Sequence, residues 1–185
     1  MIVRPLDLGD TPAYRALMLQ GYAQAADAFT STAAERESAS LDWWTQRLQH
    51  EAGLGQAFGA FVDDELMGSM AIEYSAQTKT RHKAHVVGMY VAPGHRQHGA
   101  GRALLAAVLD HARQRPGIST VVLTVTEGNA SATRLYEAAG FTIFGREARA
   151  IRTDTAAGPA NTSAQYKSKL HMQLLIDPTL AGDAP

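Results

Sequence analysis

The sequence predicts an α+β domain, a mixed β-sheet with helices on both faces. Three observations predict it. Segments with period-two and helical apolar spacing follow one another in the order βααβββαβαββ, which is neither a repeating βαβ unit nor a helix bundle. Hydrophobic residues make up 45% and charged residues 19% of the 185, the balance of a chain with a buried core. Gly and Pro punctuate the segments at Gly53, Pro93-Gly94, Pro116-Gly117, Gly128 and Gly140.

Taken in order, Ile2 to Leu6 is a short apolar strand. Asp10 or Thr11 can cap a first helix with Pro12 in its first turn, where a missing N–H costs nothing. Tyr14, Leu17, Met18 and Tyr22 give that helix its apolar stripe. Asp27 to Ala39 reads as a polar connection, and Ser40 as the cap of a second helix carrying Leu41, Trp44 and Leu48. Ala57–Val62 and Leu66–Tyr74 form a hairpin about Asp63-Asp64. Ala84–Val91 is the fourth strand, Gly99–Arg115 a helix with Leu104, Leu105, Val108, Leu109 and Ala112 inward, and Val121–Thr126 the fifth strand. Ser131–Ala139 is a short helix ended by Gly140. Phe141–Arg146 and Lys169–Ile176 read as the last strands, with Asp154–Ser168 a mobile loop between them. Residues 1–177 are expected to make one domain and 178–185 a tail.

Composition excludes several classes. With 17 basic and 18 acidic residues, net −1, nothing draws the chain to nucleic acid. It has no Cys, hence no disulfide framework, thiolate zinc site or thiol nucleophile, in keeping with a cytoplasmic location. No stretch approaches the ~20 apolar residues of a membrane span, and Met1 to Pro5 shows no leader pattern. The pairs His82/His85 and His95/His98 fall on turn, strand and loop, where i,i+3 spacing does not bring two ligands together, so no metal is expected.

The informative segment is Val91-Ala92-Pro93-Gly94-His95-Arg96-Gln97-His98-Gly99-Ala100-Gly101-Arg102. A strand ends, a Gly-rich turn follows and a helix starts, and helix N-termini with free N–H groups bind anions. It lacks the third Gly of a dinucleotide fingerprint and the Gly-Lys-Ser/Thr of a Walker loop. The stretch resembles motif A of the GNAT (Gcn5-related N-acetyltransferase) superfamily, matched by Arg96, Gly99 and Gly101. Residues Thr124 to Phe141, with Asn129 after a strand and Tyr136 ahead of Gly140-Phe141, are similar to its motif B. The resemblance runs from about residue 57 onward and implies a largely antiparallel sheet of six to seven strands with about four helices.

It further implies acetyl-CoA as acyl donor. The pyrophosphate would rest on N–H groups from Gln97 through His98, Gly99, Ala100 and Gly101 to Arg102, beside Arg96. The pantetheine arm would pair with the free strand edge at Met89, Tyr90 and Val91, with Gly88 as the bulge, and with Asn129. Tyr136 would serve the departing sulfur. Seven Lys or Arg and one acid between Lys79 and Arg115 agree with a polyanionic ligand. The amine must also lose a proton. The family's Glu position falls on His85, which on a regular strand would share a face with Val87, Met89 and Val91. Glu73 and a water chain are the rivals. The expected function is therefore direct acetyl transfer to a small-molecule or peptide amine; the alternative is a non-catalytic acyl-CoA sensor on the same fold. Nine acids against two Arg between Asp27 and Glu73 favour a cationic acceptor slightly. Whether the protein is a homodimer is left open.

Overall fold

The computed structural model describes residues 1–50, 52–153 and 165–176. Seven strands form one sheet in the order β1-β2-β3-β4-β5-β7-β6. They are β1 (Ile2–Pro5), β2 (Gly55–Val62), β3 (Glu65–Tyr74), β4 (Lys83–Val91), β5 (Thr120–Thr126), β6 (Thr142–Arg152) and β7 (Tyr166–Leu175). Every neighbouring pair is antiparallel except β4 with β5, which is parallel. The helices are α1 (Thr11–Gln24), α2 (Ala33–Glu37), α3 (Leu41–Leu48), α4 (Ala100–Gln114) and α5 (Ala130–Ala138).

Two cores lie on the two sheet faces. On one, Leu104, Leu105, Val108 and Leu109 of α4 pack with Tyr136 of α5 against Val86, Val121, Leu123 and Met172. On the other, Leu17, Met18 and Tyr22 of α1 and Trp44 and Leu48 of α3 cover Ala57, Ala71 and Tyr90. Trp43 stays at the rim, with the Arg36 and Arg47 guanidiniums over its ring at 4.2 and 4.9 Å.

Four expectations are corrected. The segment read as a polar connection contains α2, started by a capping box in which Thr32 accepts from the Glu35 N–H and Glu35 from the Thr32 N–H. Asp10 holds the N-cap position of α1, one of the two expected, but its side chain does not cap the helix; the carboxylate accepts from Arg4 at 2.7 and 2.8 Å and from the Asp7 N–H. Strands β6 and β7 are longer than their apolar patterns, so Tyr166, Lys167 and Ser168 belong to β7 rather than to a loop. Residues 154–164 of that loop, and the tail, lie outside the described residues. The fourth correction concerns β4 and is taken up below.

Under α4, the Tyr74 hydroxyl lies 2.7 Å from His111 Nδ1. Phe58 stands edge-on to the same imidazole. Burial pushes the Tyr74 hydroxyl up to about 12, so it stays protonated and is able to donate to the imidazole. Burial, and then the nearby Arg115, hold the imidazole below its usual value of 6.5. The unfolded chain therefore binds this proton at higher pH than the folded one. The neutral imidazole's contribution is intact above the unfolded value and is lost as pH falls through the folded one. Melting temperature should decline as pH drops below 6.5, and His111→Asn, which keeps an acceptor near Nδ1, should flatten that decline. A decline of equal slope in the variant would assign it to other groups.

Candidate active site

The site is made by a failure of pairing. Strands β4 and β5 are joined only at Lys83–Thr120, Ala84–Val121 and His85–Val122. Beyond these they splay, leaving the β5-facing edge of β4 without a partner strand. A bulge strengthens the divergence: Ser69 pairs with Tyr90 and Ala71 with Val87, so Gly88 and Met89 together face Met70. Gly88 has φ of 63°, where a side chain would be strained.

The bulge also breaks the alternation expected along β4. Ala84, Val86, Met89 and Val91 pack on the α4 face, whereas Val87 and Tyr90 pack on the α1 face. His85, two residues before Val87, therefore does not share a face with Met89 and Val91. One extra residue in a strand inverts every side chain after it.

A cleft of about 980 Å³ occupies the splay. Its walls are Val86 to Val91 of β4, Arg96, Gln97 and Gly99 to Arg102 at the start of α4, Thr124 to Thr126 of β5, and Asn129 and Tyr136. Of the residues singled out from sequence for the donor, only His98 is absent from the lining; its Nδ1 lies 2.7 Å from the Arg96 carbonyl oxygen. Arg96 donates from Nε to the Val91 carbonyl at 2.9 Å, which ties the turn to the strand end. Gln97 and Gly99 both take positive φ, 66° and 84°, so the chain enters α4 through left-handed backbone. Gly99 is the N-cap, and a Cβ placed on it would meet open space among the described residues beyond its chain neighbours. A Cβ on Gly101 would stand 2.8 Å from Met89 Cε.

Tyr136 is 5% exposed. Its hydroxyl donates to Met89 Sδ at 3.1 Å, and burial pushes it up to about 12. Asn129 caps α5, its Oδ1 accepting from the Ala132 N–H at 3.2 Å. Glu73 and His85 are cross-strand partners, yet neither lines the cleft. Glu73 is ion-paired with Arg47 and borders a separate cavity of about 620 Å³ with Trp43 and His50. His85 is exposed.

Sequence reasoning missed Ala25, Ala28 and Phe29, which close the cleft from the α1–α2 connection. The Thr126 hydroxyl holds that connection by donating to the Asp27 carbonyl at 2.6 Å, a contact 99 residues apart. Among the described residues no three His, Asp or Glu side chains cluster as metal ligands, and no helix is long and apolar enough to cross a membrane.

A family profile described as the acetyltransferase (GNAT) family matches residues 19–141, about two thirds of the chain. The chain belongs to that family. Among GNAT relatives, it is 34% identical over 97 residues to the streptothricin acetyltransferase of Streptomyces lavendulae, covering 52% of this chain and 49% of that protein. To the mycothiol acetyltransferase of Thermobispora bispora it is 50% identical over 60 residues, 32% of this chain and 19% of the relative. The chain thus spans about half or less of the curated relatives it matches. The fold is shared with yncA of Salmonella typhimurium, solved with its cofactor acetyl-CoA, at a TM-score of 0.75 and 22% identity over 100% of this chain and 97% of that one. A GCN5-related N-acetyltransferase from Kribbella flavida superposes at a TM-score of 0.76 with 21% identity, covering 95% and 97%.

Proposed function

We propose that this GNAT chain is an N-acetyltransferase that moves the acetyl group of acetyl-CoA directly to the amine of a small molecule. The observation that carries the reading is the splay of β4 from β5, opening at one end onto the N-terminus of α4 and passing the buried Tyr136 hydroxyl. The residues present suit this donor. The start of α4 offers N–H groups without intrahelical partners to a pyrophosphate. Gly99 and Gly101 keep that approach clear of side chains. The free edge of β4 at Met89, Tyr90 and Val91 has the hydrogen-bonding groups that an amide-bearing arm adds to as an extra strand does. Arg96 and Arg102 add positive charge at the mouth, and Asn129 stands across the cleft from β4.

Acetyl-CoA supplies an electrophilic thioester carbonyl and a thiolate leaving group. The chain supplies position and hydrogen bonds. Backbone N–H groups beside the Gly88 bulge would polarise the carbonyl, and Tyr136 would donate to the sulfur as charge builds on it. Without a Cys, direct attack by the amine is favoured over a thiol-borne acyl enzyme. Of the two bases suggested by sequence, Glu73 is committed to Arg47, and His85 stands at the last β4–β5 pair. A small-molecule acceptor is preferred over a peptide because the matched streptothricin and mycothiol acetyltransferases carry small molecules in their names.

CoA or acetyl-CoA should raise the melting temperature. A ligand at a hundredfold excess over Kd contributes about 2.7 kcal/mol, or roughly 5–10 °C for a chain this long. ATP and NAD should shift it far less. Thiol release from acetyl-CoA with a panel of small amines then tests transfer itself. Equal shifts from all three nucleotides, or no thiol release with any amine, would remove the reading.

A further inference from the structure

The apex of the splay has a second wall. On β5, Leu123 and Val125 pack toward α4, so Val122, Thr124 and Thr126 point to the opposite, α1-side face. On β7, Met172 likewise faces α4, which places His171 on the α1 side beside its direct partner Thr124. Thr124 lines the cleft one alternation beyond the last β4–β5 pair. His171 does not itself line the cleft, but it stands one strand from it beside Thr124, which does, on the side away from Tyr136, where an acceptor can approach a donor held from the α4 side.

The ring of His171 is fixed. Its Nε2 lies 3.0 Å from Glu147 Oε2 of β6, and Phe144 meets it edge-on at 5.9 Å between centroids. A carboxylate only accepts, so the neutral imidazole carries its proton on Nε2 and leaves the Nδ1 lone pair open. The side chain is 34% exposed, within reach of a small molecule. The side chain of His85, exposed on β4, has no hydrogen-bond partner among the described residues. The charged groups around His171 are Glu147 from β6 and Lys169 two residues back on its own strand. Among the described residues β5 adds the neutral Thr124 and Thr126, and Asp27, paired with Lys167, lies against Thr126.

Resting on the acetyl-transfer reading, we infer that His171, positioned by Glu147, is the base that receives the acceptor's proton. The ammonium gives one proton to Nδ1 of His171. The freed nitrogen lone pair forms the bond to the thioester carbonyl carbon as the carbon–sulfur bond breaks. The second nitrogen proton passes through solvent to the sulfur and His171 returns its own to solvent, so one proton is released per amide formed. Glu147 is a positioning residue: it holds the tautomer and stabilises the imidazolium.

The test is kcat/KM against pH with two acceptors of different basicity, for the parent, His171→Gln and Glu147→Gln, alongside nitrogen NMR of the labelled free protein. The parent should show a rising limb that does not move with the acceptor. His171→Gln should lose the limb and about 100-fold or more in rate, the usual scale for one general base, while keeping its thermal shift with CoA. Glu147→Gln should keep a limb at lower pH, because the imidazolium loses its anion. The NMR should show His171 protonated on Nε2, with that preference lost in Glu147→Gln. A limb that survives His171→Gln, a limb abolished instead by His85→Gln, or an Nδ1-protonated ring would overturn the inference while leaving acetyl transfer standing. A parent inactive with every amine would overturn both.

Discussion

Gly101→Glu should abolish CoA binding in a chain that still folds. Position 101 is in the first turn of α4, where a carboxylate complements the helix dipole, so the helix itself does not suffer. The new Cβ would stand 2.8 Å from Met89 Cε, the far end of a flexible side chain that can move aside. The fold therefore survives, and the cleft does not. The carboxylate would occupy the proposed pyrophosphate position, and like charges forced together cost several kcal/mol, a loss of about 100-fold or more in affinity. Gly101→Ala is the graded control: it moves Met89 without adding charge and should weaken binding much less. Calorimetric titration with CoA reads both, and an unchanged affinity in folded Gly101→Glu would move the cofactor away from this turn.

The turn was legible in the sequence because its chemistry is local. A strand end, two glycines at fixed spacing and an amphipathic helix lie within about twenty residues, and each leaves a composition signal. Gly99 suits its left-handed backbone, and Gly101 leaves the space that Met89 Cε occupies. The Gly88 bulge was also visible, as a glycine inside an apolar strand. Its consequence was not. Alternation counted through a bulge assigns side chains to the wrong face, and so His85 was placed with Met89 and Val91 when the structure separates them.

Other features were hidden for two reasons. Helix α2 has five residues and no apolar stripe, so periodicity could not reveal it, although Thr32 and Glu35 carry the capping-box spacing. The extra lengths of β6 and β7 show little apolar alternation because both run largely exposed and are held by pairing with each other. Contacts between distant segments leave no local trace at all. His171 and Glu147 are 24 residues apart, and Thr126 reaches Asp27 across 99. The acidic surplus between Asp27 and Glu73 also reads differently in space. Asp27 and Glu73 are matched by Lys167 and Arg47, so these two acids form part of ion pairs rather than an open field for a cation.

Tyr136→Phe should lower turnover by about 10- to 1000-fold, the range for losing one well-placed donor or acid, with much less effect on acetyl-CoA affinity. In the structure the hydroxyl gives its hydrogen to Met89 Sδ at 3.1 Å, a weak acceptor. A thiolate accepts far better, and so the interaction strengthens as the carbon–sulfur bond breaks and belongs to the transition state. The proton itself has less reason to move. Burial pushes this hydroxyl up to about 12, whereas a simple thiol titrates near ~8.5, so transfer from Tyr136 to the sulfur would run uphill. On the proposed reading, Tyr136 would act by donating a hydrogen bond, and the sulfur would take its proton from water. Two outcomes follow that a full proton donor would not give. The slowing in Tyr136→Phe should be nearly constant from pH 6 to 9, since the hydroxyl does not titrate there. An acyl donor with a more acidic thiol should suffer less from the substitution, because its thiolate needs less help to leave. A variant as fast as the parent under conditions where the chemical step limits turnover would reduce Tyr136 to packing beneath Met89 and Phe141.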